Sequence, residues 1–126
     1  MERVHYTLEY LIKASPTILY QFLTEPPCLI RWFCDEVDVN GDVFTFRWGE
    51  SEENAYIVDD FQEELLRLHW ESADVDDEHL EFKIFTSDVT DETILHISDY
   101  CDPDEVEDQK RYWDALMTRL RAVCGG

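Results

Sequence analysis

Asp99 is the residue whose type and position point first to chemistry. It shares the phase of Leu95 and Ile97 along an alternating segment, just ahead of a strongly marked C-terminal helix. If that phase faces a cavity, the carboxylate is desolvated and can act as an acid, a base or an anchor for a ligand. The same place also suits a carboxylate that is solvated or bonded to backbone amides at a strand end. A second set is aromatic. Trp32, Phe44, Phe46, Trp48, Trp70, Phe82 and Trp113, joined by Met117, fall on the apolar phases of their segments. Such side chains build either a solid core or the walls of an apolar ligand site. Seven large rings are hard to pack without gaps, which favours a pocket. Asp99 and these eight side chains are the candidate ligand-binding residues, and none is assigned a catalytic role.

Metal chemistry finds little support in the spacing. Asp74-Val75-Asp76-Asp77-Glu78 opens like a calcium loop, but its sixth position is His79 where glycine is needed, and its twelfth is Phe85 where glutamate is needed. Cys28 and Cys34 have no second close pair to complete a zinc site. The histidines His5, His69, His79 and His96 are scattered, and His69 and His96 take the outward phase of their strands. No GxSxG, HExxH, GxGxxG or phosphate loop occurs. No metal and no cofactor are expected. With no acid–base pair legible, an enzyme is the weakest of the functional readings.

Local elements must hold these residues in place. Val4, Tyr6, Leu8, Tyr10 and Ile12 alternate with period two, which predicts a strand with one buried face. Ser15-Pro16 stops it and starts a helix, with Ser15 as N-cap and Pro16 at the first helical position. Ile18, Leu19, Phe22 and Leu23 form the apolar stripe of that helix. Thr24-Glu25-Pro26-Pro27 ends it, and a second short helix is expected to carry Leu29, Ile30, Trp32 and Phe33. Six strands should follow, over residues 35–39, 43–48, 55–61, 65–71, 79–86 and 93–100. Asn40-Gly41 marks the hairpin between the first two of these. Asp102-Pro103-Asp104-Glu105 then offers an N-cap, a proline in the first turn and a capping-box glutamate. Trp113, Leu116, Met117, Leu120 and Cys124 make one stripe of the last helix, whose acidic start and basic end (Arg119, Arg121) suit its dipole.

One apolar helix stripe and one apolar sheet face must cover each other. The expected fold is therefore α+β: a curved antiparallel sheet of about seven strands wrapped around a long C-terminal helix, with two short helices after the first strand. Residues 1–126 are read as a single domain, a length that buries a core without metals or disulfides.

The 30 acidic residues outnumber the 10 basic ones and leave a formal charge of −20. A field of that sign repels phosphate backbones and anionic lipid, so nucleic acid and membrane are excluded as expected partners. It serves solubility, or presents an acidic face to a basic protein. No run approaches the length of about 20 apolar residues that crosses a bilayer, and Met1-Glu2-Arg3-Val4-His5 lacks the character of a signal peptide. Cys28, Cys34, Cys101 and Cys124 show no CxxC spacing and read as reduced thiols, so a cytoplasmic location is expected. Arg47, Arg67 and Lys83 alternate with Glu71 and Glu81 on an outer, wet sheet face. Phe85 and Ile94 share that face and would allow dimerisation or a protein contact through it.

This order of elements resembles the helix-grip or START-like (SRPBCC) superfamily, which also contains polyketide cyclases and birch-pollen-allergen-type proteins. Within it the sequence is similar to homologues of the activator of the heat-shock-protein-90 ATPase. The matching pieces are Ala14-Ser15-Pro16, Leu23-Thr24-Glu25-Pro26, Leu29 with Trp32-Phe33, Asn40-Gly41 with Phe44 and Phe46, Leu68 with Trp70, and Trp113. Members bind lipids, sterols or polyketides between sheet and helix, and some catalyse reactions there, whereas others are protein-binding modules. The resemblance thus implies a non-enzymatic binding module for a small hydrophobic or amphipathic molecule. Its alternatives are a protein-interaction module of the ATPase-activator type, and a cyclase- or hydrolase-like enzyme using the same cavity.

Overall fold

The structure, a computed structural model, describes residues 3–73 and 78–125. The calcium-like run Asp74–Asp77 lies outside the described residues. Seven strands are joined in one antiparallel sheet: β1 (Val4–Ile12), β2 (Glu36–Asn40), β3 (Val43–Trp48), β4 (Ser51–Phe61), β5 (Leu65–Trp70), β6 (Leu80–Thr86) and β7 (Thr93–Cys101). Their spatial order is β1-β7-β6-β5-β4-β3-β2, so everything after β1 is a meander and β7 closes back on β1. Helices α1 (Pro16–Thr24) and α2 (Pro26–Leu29) follow β1, and α3 (Val106–Cys124) ends the chain. The expected α+β architecture is what forms.

The local signals explain most boundaries. Ser15 Oγ accepts the Ile18 N–H at 3.2 Å, capping α1 behind Pro16. Asp102 and Glu105 form a capping box on the 3₁₀ turn Pro103–Glu105, which leads directly into α3. Gly125 closes that helix at φ +114°, which a glycine reaches without strain. The ridge of Trp113, Leu116, Met117, Leu120 and Cys124 is the buried face of α3. It lies against the sheet's concave side, where Trp113 meets Phe82 edge-on at 5.9 Å and donates its indole N–H to Tyr6 Oη at 3.0 Å. Burying such side chains contributes about 2 kcal/mol apiece. At the far end, Arg121 donates to the Leu11 carbonyl of β1 at 3.0 and 3.1 Å, so α3 is tied to the sheet beside β1.

Three expectations are corrected. Helix α2 stops at Leu29, and Trp32 and Phe33 sit in the turns after it. There the Leu29 carbonyl is shared by the N–H groups of Trp32 (3.3 Å), Phe33 (2.9 Å) and Cys34 (3.3 Å), while the Trp32 indole donates to the Phe22 carbonyl at 2.8 Å. The Phe33 bond has helical spacing, but the Cys34 N–H reaches the same carbonyl from five residues on, and the regular ladder ends there. The hairpin loop is Gly41-Asp42 rather than Asn40-Gly41, because Asn40 pairs with Val43. Gly41, at φ +64°, takes the first central position, where a two-residue hairpin favours glycine. Strand β4 begins at Ser51, four residues early, through a second tight turn at Gly49-Glu50 with Gly49 at φ +57°. Its polar start has no apolar alternation to reveal it. Cross-strand pairs hold it instead: Thr45 Oγ1 donates to Asn54 Oδ1 at 2.7 Å, and Arg47 donates to Glu52 at 2.9 Å.

One irregularity prepares the site. The β4–β5 ladder runs to Ala55–Trp70, but the β5–β6 ladder ends at Leu68–Leu80. The β6–β7 ladder ends at Glu81–Ser98. Trp70 on one side and Asp99 on the other therefore stand beyond the last β6 pairs, and the sheet parts between them.

Candidate functional site

A cleft of about 330 Å³ occupies that parting, near the N-terminal end of α3. Trp70, Ser72 and Glu53 line it from the β4–β5 side, Asp99 from β7, and Arg3, Glu78 and Gln109 from the flanking segments. Its size is at the lower end for small-molecule sites. Two larger hollows, beside Lys13 and Glu92 and beside Pro26 and Val37, are shallow surface grooves that none of the expected site residues line.

Each wall has a local cause. Asp99 faces inward because it pairs with Tyr6, whose ring is buried under α3. Gln109 lies one turn before Trp113 on the same helix face, and its Oε1 accepts from Tyr6 Oη at 3.3 Å. The chain Trp113–Tyr6–Gln109 thus positions the cleft's helical wall. Trp70 is seated on Phe46, with ring centres 5.7 Å apart, and on Trp48 at 6.3 Å. The indoles of Trp32, Trp48 and Trp113 donate to Phe22 O, Phe33 O and Tyr6 Oη. Among the described residues, the Trp70 indole N–H has no such partner, although it lines the cleft.

The electrostatics are uneven. Arg3 donates to Glu78 from Nε and Nη2 at 3.0 Å each, and to Asp102 from Nη1 at 3.0 Å. Two carboxylates hold that guanidinium firmly protonated, chiefly through these bonds, so its charge is spent within the wall. Glu78, only 8% exposed, needs that pairing. Asp99 is pushed up to about 7, first by burial and then by the Glu78 charge. The Tyr100 N–H, which donates to its Oδ1 at 2.8 Å, and the Arg3 charge resist the shift. Glu53 accepts from Ser72 Oγ at 2.8 Å. Tyr6 is raised above its ordinary range by burial and by Asp99, and stays a neutral hydroxyl.

The expected site residues fall into two groups. Trp32, Phe44, Phe46, Phe82, Trp113 and Met117 are each 3% exposed or less and interlock in the core. A void of about 10 Å³ among Trp32, Phe33, Phe46, Leu68 and Phe82 has the room of one water at most. Trp70 and Asp99 open on the cleft, and half-buried Trp48 supports Trp70 from behind. Reading the sequence missed Arg3, Glu53, Glu78 and Gln109. Gln109 alone carried a signal, a polar residue four positions before Trp113 on the apolar ridge. His69 binds outside the cleft, its Nδ1 lying 2.9 Å from the Glu78 carbonyl. Among the described residues no cluster of His, Cys, Asp or Glu could hold a metal ion, and no helix is long and apolar enough to cross a membrane.

Comparison with known proteins places the fold of the chain among known relatives. The family model for the START-like superfamily domain matches residues 1–126. A Bacteroides fragilis protein solved by NMR is 32% identical, with 100% of this chain and 94% of that chain covered and a TM-score of 0.70. A conserved Enterococcus faecalis protein of unknown function is 23% identical over 96% of this chain and 71% of its own, with a TM-score of 0.74. The Aha1 dimer of Colwellia psychrerythraea is 16% identical over 96% of both chains, with a TM-score of 0.80, a likeness of fold. No curated protein matches the sequence.

Proposed function

The chain belongs to the START-like superfamily, and from that premise we propose that it is a non-enzymatic binding module for a small amphipathic molecule. The ligand sits between the sheet and α3, in the cleft beyond the last β5–β6 pair. One observation carries this reading: the space under α3 is filled with rings, whereas Trp70 and Asp99 border an open volume of about 330 Å³. The ligand's apolar part lies on the Trp70 indole, which Phe46 and Trp48 hold in place, and its polar part meets Asp99 and Gln109. Trp32, Phe44, Phe82, Trp113 and Met117 form the layer that keeps these walls rigid. Free thiols at Cys28, Cys34 and Cys101 fit the reducing cytoplasm as the place of action.

A mixed panel of neutral, anionic and cationic phenyl-alkyl amphiphiles, screened by native mass spectrometry and tryptophan fluorescence, tests the proposal. At least one member should bind, and Trp70→Phe should weaken it about tenfold, the loss of an indole contact worth ~1.4 kcal/mol. Adducts that form equally well with the variant would place binding elsewhere. A panel without a single binder would end the cleft reading.

A second reading rests on the convex face. Leu11, Ile94 and Phe85 are cross-strand neighbours on β1, β7 and β6, and Leu11 and Phe85 are 50% and 46% exposed. Beside this apolar row runs a polar one, Glu9–His96–Lys83. A second copy related by a two-fold axis would set Glu9 against the partner's cation, which makes another copy of this chain the proposed occupant. The charge of −20 on each copy opposes association, so dimers should increase when salt is raised to about 0.5 M and the repulsion is screened. Sedimentation velocity should show a dimer that Phe85→Glu converts to monomer. A wild-type chain that stays monomeric at high salt removes this interface.

A further inference from the structure

Which amphipathic molecules the cleft selects depends on its charge, and the inference that follows rests on the cleft being the binding site. Glu53, Glu78 and Asp99 all border it, and Arg3 is the cation among its lining residues. That guanidinium is already shared between Glu78 and Asp102, in bonds of 3.0 Å to each. Glu53 and Asp99 are left without a cationic partner among the described residues. Asp99 uses one oxygen on the Tyr100 N–H, and Glu53 uses one on Ser72. Each therefore keeps accepting capacity that a ligand can fill. The wall beside them is the indole of Trp70, the aromatic surface that attracts cations best. Around the cleft, a chain of formal charge −20 raises the local concentration of cations and repels anions.

We propose that the cleft binds a small organic cation, an amine or similar monocation on a short apolar stem. Its charged head lies between Asp99 and Glu53, and its stem lies against Trp70. Three independent features converge on this class: a concave volume, an aromatic wall, and carboxylates that lack a cation. A neutral ligand would leave Glu53 and ionised Asp99 unpaired in a partly desolvated hollow, and an anion would add repulsion.

A proton linkage follows from the same geometry. The groups facing Asp99 are Tyr6 from β1, Arg3 ahead of β1, Glu78 ahead of β6, Glu53 from β4, and its neighbour Cys101; α3 contributes uncharged Gln109. Burial and Glu78 hold its carboxyl up at about 7, so it is mostly protonated at pH 6 and mostly ionised at pH 8. A cation binds the ionised form. Its affinity should rise about tenfold across that interval, following the ionised fraction.

Phenethylammonium, neutral 2-phenylethanol and anionic phenylacetate serve as matched probes, titrated calorimetrically at pH 6 and pH 8. The cation should bind at least tenfold tighter than the alcohol at pH 8 and lose about tenfold at pH 6. Asp99→Asn, which retains the Tyr100 bond through its amide oxygen, should weaken the cation about tenfold at pH 8 and flatten the pH dependence. The alcohol, which makes no ion pair with Asp99, should lose several-fold less in the variant than the cation does. If phenylethanol or phenylacetate binds as well as the cation, or if the pH dependence persists in the variant, the cation assignment is overturned while the cleft reading survives. If none of the three binds, the cation assignment is overturned, and the cleft reading falls with it only when the wider amphiphile panel also yields no binder.

Discussion

Trp113→Ala should lower the unfolding free energy by about 3–5 kcal/mol, the cost of truncating a fully buried large ring. The ring stands where three parts of the molecule meet. It lies at 5.9 Å from Phe82 of the sheet and stacks at 6.4 Å on Phe33 from the segment after α2. Its N–H reaches Tyr6 of β1 at 3.0 Å. Alanine removes the volume and leaves Tyr6 Oη without its donor. Against a total stability of about 5–15 kcal/mol, such a loss approaches the limit of folding. Trp113→Phe isolates the polar part. It keeps most of the volume, forfeits the bond to Tyr6, and should cost about 1–2 kcal/mol. Urea titrations with an unchanged m-value provide the measurement. A loss below about 1 kcal/mol for the alanine variant would show that the α3 ridge is not seated in the sheet.

The second large effect concerns Asp99 and pH. Its carboxyl titrates near the ordinary carboxylate value of 3.8 when unfolded and at about 7 when folded. Between those values the folded state holds a proton that the unfolded state has released. The group's contribution is fully favourable below the lower value. It falls as pH rises, and its penalty is complete above about 7. The full interval corresponds to about 4 kcal/mol against the native state. Asp99→Asn cannot ionise, so its advantage over the parent should grow by about 2–3 kcal/mol between pH 5 and pH 8. Paired denaturation curves at the two pH values measure it. A difference that does not change with pH, or a variant less stable at pH 8, would mean that Asp99 is solvated. A parent destabilised by its own buried carboxylate is what a ligand-anchoring residue looks like, since function and stability compete there.

The contrast between α3 and the cleft separates two kinds of information. The ridge from Trp113 to Cys124 was readable because the 3.6-residue period and the Asp102–Glu105 cap are local properties of the chain. Alternation likewise identified β1, β3, β5, β6 and β7, whose inward residues pay their way by burial alone. The start of β4 escaped because Ser51–Asn54 is held by hydrogen bonds to β3, and polar pairing leaves no hydrophobic rhythm. Helix α2 came out short where the Cys34 N–H joins those of Trp32 and Phe33 on the Leu29 carbonyl and the Trp32 indole reaches the Phe22 carbonyl of α1, a partner the local pattern does not name.

Fold, inward phases and the candidacy of Trp70 and Asp99 were thus set by neighbours in the sequence. Whether a ring fills space or borders it was decided only in three dimensions. Free volume depends on how all the side chains interlock, and six of the expected rings and chains closed the interior that Trp70 and Asp99 leave open. Among the cleft's other members, Arg3, Glu53, Glu78 and Gln109 come from four separate segments. The ends of the β5–β6 and β6–β7 ladders bring them together, and a ladder's end is a property of the assembled sheet.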